Sequence, residues 1–119
     1  MAKIDKPGQK GYFTDREKEF TEAIFPTGKN FNVIIKKLAG ASNPDYTTTD
    51  TNIQSIQRAS SIPSGVTTEL ISIEDSIPIK AWYDQGTIYY YSESETIFMN
   101  QDASAMFYNL ASVKNIDLS

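Results

Sequence analysis

The sequence predicts an α+β fold, in which two N-terminal helices pack on a small antiparallel sheet and a helix–strand unit closes the chain. Three observations lead to this prediction. Two β-rich runs within residues 77–91 flank a turn sequence at 84–86, which indicates a hairpin at the centre of the sheet. Apolar residues in segment 31–38 follow a helical spacing. A capping box at Thr14 indicates an earlier helix.

The first helix is predicted from Thr14, whose hydroxyl can accept a hydrogen bond from the Glu17 amide while the Glu17 side chain reaches back to the cap. We expect this helix to continue to about Phe25. Pro26 ends it, because the residue before a proline is pushed out of helical geometry.

A second helix is predicted over residues 31–38, with Asn30 as its N-cap. Its apolar side chains form one stripe, Phe31, Ile34, Ile35 and Leu38. Lys36 and Lys37 suit the negative end of the helix dipole, and we expect both ammonium groups to be solvated. An anion site at these two lysines is the alternative interpretation.

The hairpin has two candidate turns. A two-residue type I′ turn requires positive φ at both Gln85 and Gly86, and glutamine adopts positive φ poorly. A three-residue loop requires it only of Gly86, so the sequence favours this loop, which pairs Tyr83 with Thr87.

The choice of turn decides which side chains of the second strand face the core. With the three-residue loop, Tyr89 and Tyr91 share a face with apolar residues of the first strand, namely Ile77, Ile79, Ala81 and Tyr83. A shift by one residue would bring Ile88 and Tyr90 to that face instead.

Shorter elements are predicted on both sides of the hairpin. The segment around Ile53 and Ile56 fits either a short strand or a helical turn, because a spacing of three favours neither. Partial alternation in residues 66–73 predicts a strand, and residues 96–99 form another short β run. We expect a short helix capped by Asp102 or Ser104 and then a final strand, which together are typical of one solenoid unit.

Composition limits the chemistry that the chain can perform. Its 119 residues fit one domain, which we place at 13–119 after a flexible, Lys- and Gly-rich tail at 1–12. The absence of cysteine and histidine excludes disulfides, thiol nucleophiles, cysteine-ligated zinc and histidine-based acid–base catalysis. Catalysis by carboxylates is not excluded in this way and is considered below, but we expect no enzymatic activity and no cofactor.

The hydropathy of the chain argues against a membrane segment. No apolar run reaches the roughly 18 residues that a span requires, so we expect no membrane insertion. The N-terminus also lacks the apolar centre of a signal peptide. The expected location is intracellular or phage-associated, or the cell surface if a leader has been removed.

Charge is unevenly distributed along the chain. Residues 1–40 carry a net charge of +3, whereas residues 41–119 carry three basic and ten acidic side chains, a net of −7. An acidic body repels phosphate backbones, so direct binding of nucleic acid is not expected. The simplest interpretation is that these carboxylates keep the surface soluble.

Two stretches resemble a known family. Residues 80–101, KAWYDQGTIYYYSESETIFMNQ, resemble the segment that precedes the repeats in BspA-like leucine-rich-repeat surface proteins, where a WFDNGTIYYY hairpin is typical. Residues 102–119 resemble the first such repeat, and a looser likeness extends upstream to Thr27. The resemblance implies a non-catalytic, protein-binding module of bacterial surface or phage origin.

Two groups of side chains are candidates for binding. The aromatic group and its acidic neighbours comprise Trp82, Tyr83, Tyr89, Tyr91, Asp84, Glu93 and Glu95. The rings suit a hydrophobic core, but exposed tyrosine and tryptophan also suit protein interfaces and sugar stacking. The carboxylates could form a glycosidase pair, although solvated surface charges explain them more simply.

Three functions follow from these groups. A protein partner is the leading expectation. A carbohydrate-binding module that uses exposed tyrosine or tryptophan is the first alternative. The second is a small acidic phage-encoded inhibitor of a basic host protein, such as a nucleic-acid-binding enzyme.

Overall fold

The structure, a computed structural model, describes residues 20–118. Its elements in chain order are β1 (Ala23–Ile24), α1 (Gly28–Leu38), β2 (Ser55–Arg58), β3 (Glu69–Leu70), β4 (Lys80–Asp84), β5 (Thr87–Tyr91), β6 (Ile97–Phe98) and β7 (Asn115–Ile116). Five strands form one sheet in the order β3-β4-β5-β2-β7, and β1 pairs with β6.

The large sheet is mixed, so the prediction of a small antiparallel sheet is wrong. Strands β3, β4 and β5 are antiparallel, but β2 runs parallel to both of its neighbours, β5 and β7. The segment around Ile56, which the sequence left open, is therefore a strand near the middle of the sheet. Of the strand expected at 66–73, only Glu69–Leu70 forms, whereas the run at 96–99 yields β6.

The prediction of two N-terminal helices is also wrong, since α1 is the only helix within residues 20–118. Ala23 and Ile24, expected at the end of the first helix, form β1 parallel to β6. The Ile24 amide donates to Ser76 Oγ at 2.9 Å, so pairing with distant residues replaces a local helix. The capping box at Thr14 and the predicted tail at 1–12 lie outside the described residues.

Helix α1 begins earlier than the sequence indicated. Thr27, not Asn30, is its N-cap, and the Thr27 hydroxyl accepts from the Asn30 amide at 3.3 Å. The first helical residue, Gly28, lies directly against the backbone of residues 103–104, and a Cβ there would collide with the Ser104 carbonyl. Only glycine allows this close approach, which brings the closing segment onto the helix.

Lys36 is buried rather than solvated, which corrects the expectation for this side chain. Its ammonium donates to the backbone carbonyls of Asp45 at 3.3 Å and Tyr46 at 3.0 Å, so it fixes the loop after the helix. Burial lowers the pKa of Lys36, and the nearby Asp50 and Asp45 carboxylates oppose that shift. The two carbonyl acceptors account for the position of the Lys36 ammonium without an anion site.

The β4–β5 hairpin has the two-residue turn that the sequence disfavoured. Asp84 lies opposite Thr87, and both turn residues, Gln85 and Gly86, have positive φ. Ile88 and Tyr90 consequently face the core, where both are essentially inaccessible to solvent. Burial of those two side chains outweighs the strain at Gln85.

The closing segment does not form the expected helix–strand unit, and residues 102–118 contain no leucine-rich-repeat-like helix. Residues 104–109 form turns, because Ala105 and Asn109 have positive φ, which is incompatible with an α-helix. Only the final strand, β7, is formed, and Leu110 makes an isolated parallel bridge to Asp50.

The core lies between α1 and the face of the large sheet that carries Ile56, Ile88 and Tyr90. Within this core, the Phe25 ring makes edge-on contacts with the rings of Phe31 and Tyr90, each at a centroid distance of 5.3 Å. No helix within residues 20–118 is long and apolar enough to cross a membrane.

Candidate binding groove

The predicted aromatic group divides between the two faces of the hairpin. Trp82 and Tyr89 lie opposite each other on the outer face, away from α1, with their rings stacked at 5.6 Å and 21°. Trp82 is only 3% exposed, so its ring is not available as a platform. Tyr83 lies on the core face, half-buried, and its hydroxyl donates to the Asn52 carbonyl at 3.2 Å.

The remaining predicted residues are also dispersed. Asp84 is exposed at the turn, at the opposite end of β4 from Lys80. Tyr91 is half-buried at the end of β5, and Glu93 and Glu95 are exposed just beyond it. Of the seven predicted site residues, Tyr91 and Glu93 line the groove described next.

A surface groove of about 980 Å³ lies beside the β3 edge of the large sheet. Its apolar lining includes Leu70, Ile73, Ile77 and Pro78. A smaller recess of about 210 Å³ shares Ile77, Pro78 and Glu93 with it and adds Ile62, Lys80 and Tyr91. We refer to the two together as the β3 groove. Its size and apolar lining are those of a binding cleft.

One wall of the groove, residues 73–77, is attached to strand β1. The Ile73 amide donates to the Ile24 carbonyl at 3.1 Å, and the Ile77 amide donates to the Glu22 carbonyl at 2.9 Å. Buried Ser76 accepts from the Ile24 amide and donates to the Ile77 carbonyl at 2.7 Å. These hydrogen bonds fix the backbone of residues 73–77, and so they fix the positions of Ile73 and Ile77 in the groove lining.

Segment 92–95, which contributes Ser92, Glu93 and Ser94 to the groove lining, is held by Arg58. Its guanidinium donates to the carbonyl of Glu95 at 3.0 Å and to that of Ser92 at 3.2 Å, and also to the Ser94 carbonyl. The planar fork of arginine suits several acceptors at once. Arg58 thereby positions the segment that carries Glu93 into the groove.

The charge of the groove is predominantly negative. Glu74 and Glu93 line it, whereas Lys80 is the one basic residue among the lining residues described. Arg58, another of the three basic residues after position 40, is engaged with backbone carbonyls. The groove thus combines apolar side chains with acidic ones in its lining.

The edge of the sheet next to the groove offers unpaired backbone groups. The Ile71 amide donates to the Ile79 carbonyl at 2.7 Å, while the Ile79 amide donates to the Ser72 hydroxyl at 3.3 Å, so the groups of Ile71 that form the ladder point toward β4. Leu70 and Lys80 are the next pair along the two strands. Because hydrogen-bonded and non-hydrogen-bonded pairs alternate in an antiparallel sheet, Leu70 and Lys80 form a non-hydrogen-bonded pair. The Leu70 N–H and C=O therefore point away from β4, and the Leu70 side chain is 59% exposed.

Sequence reasoning missed most of this site. Ile77 was assigned to the core face of the hairpin and does pack against the core, but it also lines the groove, which the sequence did not indicate. Strand alternation placed Leu70 and Ile71 on opposite faces but did not indicate which face is buried, and the structure exposes Leu70 and buries Ile71. Arg58 had no distinguishing signal, because its acceptors are backbone carbonyls more than 30 residues away in sequence.

A second aromatic cluster lies on another part of the surface. Tyr46 and Tyr108 have ring centroids 5.9 Å apart at 46°, and the Lys29 ammonium lies 4.8 Å from the Tyr46 ring centroid. Tyr108 is 51% exposed. Hydrogen bonds from Thr47 to the neighbouring Asp45 carboxylate lower the pKa of Asp45 and order this loop.

Within the described part of the chain, no group of three or more acidic side chains is placed to hold a metal ion. Comparison of the chain with protein-family models, with curated proteins and with solved structures finds no match.

Proposed function

We propose that this chain is a non-catalytic protein-interaction module, and that the β3 groove is its contact surface. The observation that supports the proposal is the coincidence of a groove of about 980 Å³ with an exposed sheet edge at Leu70. Apolar grooves beside open strand edges are a recurring site for peptide segments of partner proteins. The bacterial-surface or phage origin implied by the resemblance stays a prediction.

The chemistry of the groove favours binding over catalysis. The chain contains no cysteine or histidine, so thiol and imidazole chemistry are excluded. The lining consists mainly of apolar side chains and serines, with Glu74 and Glu93 as the acidic members. Apolar burial with a few polar groups gives affinity and orientation without a nucleophile.

The proposal can be tested with a displayed peptide library selected on the full chain. Leu70→Ser removes an exposed apolar side chain at the groove, and Ile116→Ser removes one that is 41% exposed in the other edge strand, β7. Each variant replaces an exposed apolar residue in a two-residue edge strand of the same sheet, so Ile116→Ser serves as a matched control for Leu70→Ser. Selected peptides should bind Leu70→Ser at least about tenfold more weakly than the unaltered chain.

The same peptides should bind Ile116→Ser with unchanged affinity. Equal losses in the two variants, or no loss in Leu70→Ser, would assign the binding to another surface and overturn the proposal. Circular dichroism of both variants checks that each is folded.

A carbohydrate-binding module is the second candidate, and the Tyr46–Tyr108 cluster is the observation that favours it. Tyr108 presents an exposed ring, whereas the predicted platform residue Trp82 is buried against Tyr89. Stacking on tyrosine suits the apolar face of a sugar ring. Binding on a glycan array that is lost in Tyr108→Ala and kept in Leu70→Ser would support this function instead.

A further inference from the structure

We infer that the partner of the β3 groove is an extended basic peptide segment, which pairs as an added strand with the Leu70 edge of the large sheet. This inference rests on the proposed function and specifies both the binding mode and the chemistry of the partner. It combines three features that lie together in the fold: backbone groups at Leu70 without a partner among the described residues, an apolar groove beside them, and acidic side chains in the groove lining.

The backbone geometry supports strand addition. Leu70 directs its N–H and C=O away from β4, and neither group has a hydrogen-bond partner among residues 20–118. An extended peptide alongside β3 can satisfy both groups at once, as in other cases where a strand is added to a sheet edge. The short length of β3 leaves this edge uncovered by the described chain.

The side chains beside this edge favour alternating residues in the partner. Leu70 lies on the outer face of the sheet with Lys80 and Tyr91, since directly paired residues share a face. The groove lining continues from Leu70 to Ile77. A strand that pairs with Leu70 would direct every second side chain toward this apolar surface.

Charge complementarity identifies the partner as basic. Glu74 and Glu93 line the groove against one basic residue among its described lining, Lys80, and residues 41–119 carry a net charge of −7. A lysine- or arginine-containing strand offsets these charges, whereas an acidic strand meets like charge. The same argument disfavours a second copy of this chain, because a two-fold pairing of β3 with itself would bring the acidic grooves of both copies together.

The test uses the full chain and synthetic peptides of about seven residues, a common strand length. The first peptide has valines at alternate central positions and a lysine at each end, so that both residue types can face the groove. The second has glutamate in place of every lysine. The third is the lysine peptide with every second backbone amide N-methylated, which removes the hydrogen bonds along one edge but keeps the side chains. Affinity is measured by calorimetry, and amide hydrogen exchange at Leu70 and Ile116 is measured by NMR.

We expect the lysine peptide to bind and to slow exchange at the Leu70 amide but not at the Ile116 amide. The glutamate and N-methylated peptides should each bind at least about tenfold more weakly. Absence of binding by the lysine peptide would overturn the inference. So would binding that leaves exchange at Leu70 unchanged, or equal binding of the glutamate peptide.

The free chain provides a further control. Slow exchange at Leu70 before any peptide is added would mean that the chain covers its own edge, and would overturn the inference as well. A failure of the strand-addition inference can be distinguished from a failure of the proposed function. Library peptides that depend on Leu70 but lack basic residues or strand pairing would leave the groove as the contact surface and remove only this binding mode.

Discussion

Tyr83 lies directly opposite Ile88 across the β4–β5 hairpin, and both side chains face the core. This pairing requires a two-residue turn in which Gln85 has φ 49° and Gly86 has φ 92°. It also places Tyr89 and Tyr91 on the outer face, where Tyr91 reaches the β3 groove. The turn therefore determines which aromatic side chains are available to a partner.

Gly86→Val should destabilise the protein by at least about 1 kcal/mol. A β-branched residue is strained at φ 92°, and its Cβ would lie 3.3 Å from Cδ of Gln54. Thermal or urea unfolding measures the change. An unchanged unfolding midpoint would contradict the turn geometry.

Gln85→Asn is the matched variant at the same turn, and we expect it to stabilise the protein where Gly86→Val destabilises it. Asparagine adopts positive φ more readily than glutamine, and Asn-Gly is the preferred type I′ sequence, so we expect a gain of about 0.5 kcal/mol. A three-residue loop in which only Gly86 has positive φ would predict no gain from this substitution.

The sequence predicted local features more successfully than long-range ones. The helical stripe at 31–38 and the hairpin within 77–91 are both present, because each depends on periodicity or turn chemistry within about a dozen residues. The hairpin register was wrong because the cost of positive φ at Gln85 was weighed without the burial of Ile88 and Tyr90. That burial depends on α1 and β2, which lie far away in sequence.

The parallel pairings could not be predicted from local pattern. Strand β2 is four residues long, and β1, β6 and β7 have two each, so none has a recognisable alternation. Ala23 and Ile24 fit a helix locally and become a strand only through pairing with β6 and the contact of Ile24 with Ser76. The groove depends on these same contacts and was missed for the same reason.

Arg58→Met should destabilise the protein by at least about 2 kcal/mol, because it removes hydrogen bonds from a charged donor to three backbone carbonyls. Amide exchange should accelerate in residues 92–95. Arg58→Lys should recover only part of the loss, since one ammonium cannot match the geometry of the guanidinium.

The control for Arg58 is Lys114→Met, which removes an exposed positive charge and should change the unfolding free energy by less than about 0.5 kcal/mol. Urea unfolding of all three variants distinguishes the specific contacts from the loss of charge. Equal effects of Arg58→Met and Lys114→Met would contradict the positioning role of Arg58.

Stability should fall at alkaline pH because of Tyr90. Burial raises the pKa of Tyr90 to about 12 from its ordinary 10.0. Between these values the unfolded chain loses the phenol proton and the folded chain keeps it, so the stability contributed below pH 10.0 is lost as pH rises toward about 12. Its hydroxyl also donates to the Asp117 carbonyl at 3.1 Å.

Tyr90→Phe isolates this effect. At neutral pH the variant should be less stable by about 1 kcal/mol, because it lacks one hydrogen bond. The difference should shrink above pH 10.0, since only the unaltered chain has a phenol at this position to ionise on unfolding. Exposed Tyr108→Phe is the control. A Tyr90→Phe difference that stays constant across this range would contradict the linkage.

Salt dependence tests the role of the acidic groups in the β3 groove. Affinity for the lysine peptide should decrease as salt rises, because the Debye length shortens from about 10 Å at about 0.1 M to about 3 Å at about 1 M. Replacing Glu74 and Glu93 with glutamine should flatten this dependence. Asp84→Asn, which removes an exposed charge at the hairpin turn, should leave it unchanged. A slope that persists in the glutamine variant would show that the attraction comes from charges elsewhere, and would leave the apolar side chains Leu70 and Ile77 as the specific contacts of the groove.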